Sequence, residues 1–416
     1  MSKLEELIAR LCPDGVEYKS LGDLGKFYGG ITGKSKEDFK DGNEKFITYM
    51  NVYSNIALKI DVNDSVRIMP NEKQRTLEYG DVIFTGSSET PDECGISSVL
   101  TTKTDQKLYL NSFCFFFRFD NKNLILPDFS KYVFRSSYLR YQIGKTASGV
   151  TRFNVSKKLM EKVKIPVPPL EVQREIVHIL DFFSLLTAEL AAELAARQKQ
   201  YEFYRDELVS CPSNTVIVKL SDIAYFYNGD RGKNYPKISE MVSDGIPFVN
   251  AGDVNGKVDT INCNKITREK YNSLGGAKLK KNDILYCLRG STGKNGIYNK
   301  EEGTVASSLV AIRVDSSKAD FKYIYYLLNS KLEIKQRLKA DTGAAQPNLS
   351  AQNVKNYEFP LPPLSEQQRI VDILDRFDAL CNDITSGLPA EIEARKKQYE
   401  YYRDKLLTFK ELKKEA

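Results

Sequence analysis

The chain contains one unit of sequence twice, and this repeat constrains its fold more than any other feature. Residues 165–180 read IPVPPLEVQREIVHIL and residues 359–374 read FPLPPLSEQQRIVDIL, an offset of 194. Residues 196–208 read ARQKQYEFYRDEL and return as ARKKQYEYYRDKL at 394–406, an offset of 198. Elsewhere the copies diverge, apart from short matches such as GDVIF with NDILY. We therefore predict two copies of one unit, each a variable globular domain followed by a closely repeated helix.

Both closely repeated segments have the pattern of a long helix. Each begins after a Pro-Pro pair, which ends a preceding helix but is tolerated in the first turn of a new one. Apolar and aromatic positions then recur at alternating steps of four and three, so a helix from about Leu170 to Leu208 would be roughly 58 Å long. The second copy carries four extra residues, and Gly387 and Pro389 there predict a helix stop and restart. Two matching heptad helices favour packing on each other, and an antiparallel pair would give the chain a pseudo-two-fold axis.

The segments between the helices have a mixed pattern. Short runs rich in β-branched and aromatic residues occur in 13–164 and in 211–358, and helical stretches follow them. The prediction is an α+β fold. Along the chain it divides into a first domain with an N-terminal helix, a first long helix, a second domain and a second long helix: 1–164, 165–210, 211–358 and 359–416.

Composition excludes several classes of chemistry. The seven cysteines are dispersed without a CxxC spacing, which argues against a disulfide framework and fits a reducing compartment. The single histidine, His178, rules out a zinc site with two histidines or an HExxH motif. No segment approaches the roughly 18 apolar residues that span a bilayer. We expect no metal site and no membrane contact, and a cytoplasmic location.

The net charge of +6 is mild, but the cations are clustered. One basic run lies within 131–164 and a second within 265–294. Such a run is most often a solvated face, yet one in each half of the chain favours contact with a polyanion such as DNA.

Two apparent catalytic motifs do not hold. GGITGKS at 29–35 has three residues between its glycines, whereas a phosphate-binding Walker loop needs four. Pro91-Asp92 with Asp105 and Lys107 formally resembles a nuclease core, but the second copy lacks it. No catalytic residue is predicted.

The order of these segments carries a resemblance to a known family. LCPDGVEYKSLGDL, then PVPPLEVQREIVHILDFF with RQKQYEFYRDEL, and then PLPPLSEQQRIVDILDRFDAL with ARKKQYEYYRDKLLTF, are similar over the whole chain to the specificity subunit of bacterial type I restriction–modification enzymes. One departure is TAELAAEL at 187–194, where the family pattern has a GLP break.

The resemblance implies an architecture and a set of partners. Two target-recognition domains would be separated by two long conserved helices that form an antiparallel coiled coil. Each domain would read one half of a bipartite site in double-stranded DNA, and the helices would set the spacer and dock two methyltransferase subunits. The subunit itself would be non-catalytic and hold no cofactor. The complex, a site-specific deoxyribonuclease and adenine-N6 DNA methyltransferase with motor-nuclease subunits, would use S-adenosylmethionine, ATP and Mg²⁺.

Candidate DNA contacts follow from the polar loops, because Arg, Asn, Gln, Ser and Thr read base edges and small residues let the backbone approach phosphates. In the first domain the predicted base contacts are Ser87, Ser88, Thr151, Arg152 and Asn154. In the second they are Arg289, Ser291, Thr292, Gln346 and Asn348. The predicted phosphate contacts are Lys34, Lys233 and Lys294. The competing interpretation is a coiled-coil scaffold that holds two protein-binding domains and does not bind DNA.

Overall fold

The computed structural model describes residues 2–210, 215–232, 235–340, 349–383 and 385–412. The chain forms two compact units. Unit 1 comprises Met1–Leu190 with Ile392–Ala416, and unit 2 comprises Ala191–Glu391. Each unit therefore combines one globular domain with parts of both long helical segments.

The secondary structure is α+β in both units. The helices are α1 Lys3–Leu11, α2 Leu21–Leu24, α3 Tyr49–Ser54, α4 Pro127–Val133, α5 Ser137–Gly144, α6 Lys157–Met160, α7 Leu170–Ser210, α8 Leu220–Ile223, α9 Arg268–Ser273, α10 Phe321–Leu328, α11 Lys331–Ala340, α12 Ala351–Lys355, α13 Leu364–Asn382 and α14 Leu388–Leu406. The strands of unit 1 are β1 Tyr18–Ser20, β2 Gly25–Gly29, β3 Glu44–Ile47, β4 Ser65–Val66, β5 Val82–Thr85, β6 Ser87–Ser88, β7 Ser97–Val99, β8 Leu108–Leu110, β9 Cys114–Phe119, β10 Ala147–Ser148, β11 Phe153–Val155 and β12 Lys164–Pro166. Those of unit 2 are β13 Val216–Lys219, β14 Ala224–Asn228, β15 Met241–Val242, β16 Ile246–Val249, β17 Val254–Val258, β18 Asn264–Ile266, β19 Ile284–Cys287, β20 Asn295–Ile297, β21 Thr304–Val305, β22 Leu309–Val314 and β23 Glu358–Leu361.

The main sheets of the two units share one topology. Among the described residues, unit 1 has the antiparallel order β2-β9-β5-β7, and unit 2 has the order β14-β22-β19-β20, to which β17 adds in parallel. The matched sequences GDVIF and NDILY supply β5 and β19, so equivalent strands hold equivalent places. A smaller sheet follows in each unit, with order β4-β3-β8 in one and β15-β18-β16-β21 in the other.

Strand β9 is buried on both faces and divides the core of unit 1. Phe115, Phe117 and Phe119 pack into the cluster that reaches the long helices, whereas Cys114 and Phe116 pack into a second cluster beneath the small sheet. Successive side chains of a strand point to opposite faces, so one apolar run serves both clusters.

Both long helical segments begin where the Pro-Pro pairs predicted. A buried glutamine fixes each start: Gln367 donates its Nε2 to the carbonyl of Pro362 (2.8 Å) and accepts the backbone N–H of Asp320 at its Oε1 (2.8 Å). In unit 1, Gln173 makes the same bond to Pro168 (2.8 Å) and accepts the N–H of Leu126 (2.8 Å).

The helices pair antiparallel, which confirms the prediction. In unit 1 the ring of Phe183 on α7 stacks on that of Tyr402 on α14, with centroids 5.3 Å apart. In unit 2 the ring of Tyr204, further along α7, stacks on that of Phe377, which lies on the earlier helix α13, at 5.7 Å. The partners thus run in opposite directions along the sequence.

The predicted interruption of the second helical segment is also present. Helix α13 ends at Asn382 and α14 begins at Leu388. Asp383 accepts hydrogen bonds from the hydroxyls of Thr385 (2.6 Å) and Ser386 (2.7 Å). A Cβ at Gly387 would lie 2.5 Å from the carbonyl oxygen of Ala379, so the chain closes tightly here only because this residue is glycine. Helix α7 continues without a break through TAELAAEL.

The compact units cut across the four predicted segments. Strands β12 and β23 straddle the predicted boundaries after residues 164 and 358, because each pairs with the first strand of its domain, β1 or β13, and closes it. The predicted boundary after 210 coincides with the end of α7. The distal parts of the helices join the unit built from the other copy: Leu407 and Tyr399 join the core of unit 1, and Tyr201 and Val209 join that of unit 2.

One buried ion pair is present twice. In unit 1 the carboxylate of Asp81, 1% exposed, receives Nε and Nη2 of Arg118 at 2.8 and 2.6 Å. In unit 2 Asp283 receives the same atoms of Arg313 at 2.8 and 2.7 Å. Each aspartate directly precedes the equivalent strand, β5 or β19, and each arginine lies on the neighbouring strand, β9 or β22, so the pair joins two adjacent inner strands of the sheet.

The described residues contain no helix that is long and apolar enough to cross a membrane. They also contain no group of three or more His, Cys, Asp or Glu side chains that could hold a metal ion.

Candidate nucleic-acid interface

Four of the predicted DNA contacts converge on one cleft of unit 1. Ser87, Ser88, Thr151 and Arg152 line a concavity of about 500 Å³. They meet because strand β6 pairs with β11, while Thr151 and Arg152 lie in the turn of the β10–β11 hairpin. The fifth predicted residue, Asn154, is exposed and lies opposite Ser87 in the ladder.

A carboxylate outside the predicted set of contacts also lines this cleft. Glu93 accepts hydrogen bonds from the hydroxyls of Tyr53 (2.9 Å) and Ser88 (3.0 Å). The bond from Tyr53, followed by those from Ser88 and Thr90, lowers the pKa of Glu93, so the carboxylate is ionised at neutral pH and accepts hydrogen bonds only. Tyr53 and Glu93 are 40 residues apart, and only the fold brings them together.

Aromatic side chains complete the cleft. Tyr49 donates its hydroxyl to the carbonyl of Ser87 (2.9 Å) and so ties α3 to β6. Phe113 is 57% exposed, and the guanidinium of Arg152 lies 5.5 Å from its ring centroid. A cation over an aromatic face is attracted by the ring quadrupole, which steadies the guanidinium of Arg152 at the lining of the cleft. The cleft therefore combines a cationic donor, an anionic acceptor and apolar faces.

Lys34 does not have the environment expected of a phosphate contact. Its side chain is 7% exposed, and its ammonium binds the carbonyl of Arg67 (2.6 Å) and the carboxylate of Glu72. The hydrogen bond from Lys34, followed by that from Gln74, lowers the pKa of Glu72 to about 2. In this conformation the ammonium of Lys34 forms a structural ion pair with the carboxylate of Glu72, which lies 38 residues further along the chain. Lys34 and the exposed Lys36 both line a second concavity, of about 700 Å³.

Part of the first basic run also points inward. Arg135 donates to the carbonyls of Ser97 (2.6 Å) and Tyr53 (3.2 Å), and Arg140 donates to those of Asp92 (2.8 Å) and Cys94 (2.6 Å). These guanidinium groups satisfy loop carbonyls inside the unit. The basic run is therefore only partly a solvated cationic face.

The predicted contacts of unit 2 meet on one turn between β19 and β20. Arg289 and Lys294 are exposed, and Ser291 and Thr292 are half-buried. The turn is closed by the N–H of Gly293, which donates to the carbonyl of Cys287 (3.0 Å). The remaining predicted residues, Lys233, Gln346 and Asn348, lie outside the described residues.

The cleft in unit 1 and the turn in unit 2 follow equivalent strands, β5 in unit 1 and β19 in unit 2. A family model described as the type I restriction modification DNA specificity domain matches the chain twice, over residues 13–197 and 212–394. The chain belongs to this family. The two matched stretches are the two sequence copies, and each contains one of the candidate reading sites.

Individual members of the type I specificity family agree with this assignment. A type I restriction enzyme specificity subunit from Escherichia coli is 36% identical over 265 residues, which cover 61% of this chain and 65% of that protein. A putative specificity subunit from Haemophilus influenzae is 36% identical over 274 residues, covering 63% and 68%. The chain thus spans slightly less than two thirds of the length of the E. coli relative.

Solved structures of this family support the fold. A chain from a study of complex assembly and conformational transition of the type I R-M system aligns with a TM-score of 0.67 at 20% identity, covering 96% of this chain and 98% of that one. The HsdS subunit of Thermoanaerobacter tengcongensis aligns with a TM-score of 0.51 at 18% identity, covering 95% and 97%. These likenesses bear out the predicted architecture of two α+β domains with two long helices.

Proposed function

We propose that this specificity subunit reads a bipartite site in double-stranded DNA, with one half-site for each unit. The observation that carries the proposal is the convergence of polar side chains after equivalent strands. Ser87, Ser88, Thr151 and Arg152 meet in one cleft of unit 1, and Arg289, Ser291, Thr292 and Lys294 share one turn of unit 2. The sequences of the two sites differ, as expected for the reading of two different half-sites.

The cleft of unit 1 suits direct readout in the major groove. Arg152 presents the donor edge that pairs with O6 and N7 of guanine, and the ionised Glu93 is an acceptor for the exocyclic amine of cytosine. Phe113 offers an apolar face for a thymine methyl group. Lys36, rather than Lys34, is proposed as the phosphate contact of this unit.

The helices are proposed to dock two methyltransferase subunits. Phe203 on α7 and Tyr401 on α14 hold equivalent positions of the repeat and are 57% and 61% exposed. Because an exposed aromatic side chain recurs at the same position of both repeats, we propose two equivalent protein contacts. The partner subunits would carry the S-adenosylmethionine chemistry, and motor-nuclease subunits would use ATP and Mg²⁺, so no residue of this chain is proposed to hold a cofactor.

Replacement of Arg152 by alanine tests the reading site. We expect a loss of about 1–3 kcal/mol in binding at one base pair of the half-site read by unit 1, because one bidentate base contact is removed. The measurement is an electrophoretic shift with the methyltransferase subunits present, on DNA in which each half-site is randomised in turn. Arg289→Ala is the matched control and should relax only the other half-site. An equal loss on all sequences would show that Arg152 contacts phosphate and not a base.

A change in the length of α7 tests its role as the spacer. Insertion of one further TAEL after Leu190 adds about 6 Å of helix. We expect the preferred spacer between the half-sites to lengthen while both half-site sequences stay the same. Selection of binding sites from a library of spacer lengths measures this. A variant that folds and keeps the original spacer would contradict the proposed role.

A further inference from the structure

The distal end of α14 caps a short helix in unit 1. Asp404 accepts hydrogen bonds from the backbone N–H of Ser137 (2.9 Å) and from its hydroxyl (2.6 Å). Ser137 is the first residue of α5, which has eight residues. The N-cap of α5 is Ser136, which accepts the N–H of Leu139, and Asp404 satisfies the N–H of the next residue. A helix of two turns leaves much of its backbone unsatisfied at its ends, so its position depends on both acceptors.

Helix α5 in turn holds the loop that supplies the acidic group of the cleft. Arg140, one turn after Ser137, donates to the carbonyls of Asp92 and Cys94, on either side of Glu93. The loop closes at Gly95, whose φ of +64° is left-handed and whose N–H donates to the carbonyl of Thr85 at the end of β5 (3.1 Å). A Cβ on Gly95 would lie 2.5 Å from Cγ2 of Ile143 on α5, so loop and helix are in direct contact.

Unit 2 repeats this arrangement with different residues. Asp206, near the end of α7, accepts the N–H of Lys331, the first residue of α11, at 3.1 Å. Arg337 of the same helix packs on the reading turn, since a Cβ on Gly293 would lie 2.5 Å from its Nε. Gly293 is left-handed with a φ of +88°, and it bonds the carbonyl of Cys287 at the end of β19. Cys287 is the counterpart of Thr85.

We infer that Asp404 and Asp206 are positioning residues for the two reading sites, each acting on the unit built from the other sequence copy. Asp404, which belongs to the second repeat, sets the site of unit 1 through α5 and Arg140. Asp206, which belongs to the first repeat, sets the site of unit 2 through α11 and Arg337. The inference rests on the proposed function, and it assigns a role to the repeated YRDEL and YRDKL sequences beyond helix pairing.

The test is half-site discrimination by the full-length chain with its methyltransferase subunits. Asp404→Ala removes the acceptor of the Ser137 N–H, while Ser136 stays as the N-cap, and should reduce discrimination at the half-site of unit 1 by roughly 3- to 30-fold, the range that loss of a capping acceptor permits. The half-site of unit 2 should be read as before. Asp206→Ala should reduce discrimination at the half-site of unit 2 and leave the half-site of unit 1 unchanged. Asp404→Asn should retain discrimination, because asparagine caps a helix as well as aspartate does.

Two controls separate positioning from other effects. Glu400→Ala removes an exposed carboxylate one turn away on α14 and should change neither half-site. Hydrogen exchange of the full chain without DNA should show faster exchange of the amides of α5 and of loop 91–95 in Asp404→Ala. Unchanged discrimination, an equal loss at both half-sites or unchanged exchange would each overturn the inference. If the unaltered subunit shows no half-site preference, it is the proposed function that fails.

Discussion

Replacement of Arg118 by methionine is expected to lower the free energy of unfolding of unit 1 by about 3–5 kcal/mol. The guanidinium is the cationic partner of Asp81, whose side chain is 1% exposed and cannot be reached by bulk water. Methionine fills much of the same volume but leaves a buried carboxylate without its counter-charge. The loss of unfolding free energy is measured by urea unfolding, with hydrogen exchange as the probe that reports on each unit separately.

The loss should depend on pH in a defined direction. Burial raises the pKa of Asp81 even with Arg118 beside it, and removal of the guanidinium raises it further. A carboxyl whose pKa is raised on folding stabilises the folded state fully at low pH and loses that contribution as pH rises through the folded pKa. Arg118→Met should therefore be least harmful in acid and most harmful at neutral pH.

Two controls accompany this substitution. The double variant Asp81→Asn with Arg118→Met has no buried charge and should recover most of the loss, while asparagine can still accept the N–H of Glu78. Arg313→Met should destabilise unit 2 by a similar amount, because Asp283 is buried in the same way. A cost below about 1 kcal/mol for Arg118→Met would show that water or another cation replaces the guanidinium.

The second large effect is expected for Gln367→Leu, at about 2–4 kcal/mol. The buried amide holds the N–H of Asp320 and the carbonyl of Pro362, and leucine would leave both backbone groups without a partner. Asp320 also caps α10 through its side chain, so the loss would reach that helix. Chemical unfolding of the full chain measures the change.

The adjacent residue supplies a matched control. Gln368 is exposed, and its amide donates to the carboxylate of Asp372 (2.8 Å). Gln368→Leu should therefore change the free energy of unfolding by no more than about 0.5 kcal/mol. Equal effects of the two substitutions would contradict the view that the glutamine of the repeated PPL segment fixes the start of the helix.

Local features were predictable because their causes lie close together in the chain. The Pro-Pro pair predicted the start of α7 at Leu170, and Gly387 with Pro389 predicted the break before α14. The polar loops after β5 and β19 were found from their composition and their repetition. Most of the predicted DNA contacts lie together in the cleft of unit 1 or on the turn of unit 2. Their role in DNA binding stays a prediction.

The direction in which a side chain points was harder to predict from the sequence. Lys34 was predicted to contact phosphate, and Arg135 and Arg140 belong to the first basic run, yet each is held by carbonyl or carboxylate groups inside unit 1. Glu93 was not among the predicted contacts, and it lies in the reading cleft beside Tyr53. The composition gives the number of charged side chains, but it does not show which of them will bind carbonyl or carboxylate groups in the folded protein.

The sequence alone determined that one unit is used twice, that each copy ends in a long helix, and that the second helix is broken. These properties follow from period and repetition, which can be read along the chain. The tertiary structure alone decided which helix end completes which unit. Ser137 and Asp404 are 267 positions apart, and a heptad pattern shows that a helix has an apolar face without showing which partner covers it. The two copies share one sequence pattern, but each unit contains the distal helix end of the other sequence copy.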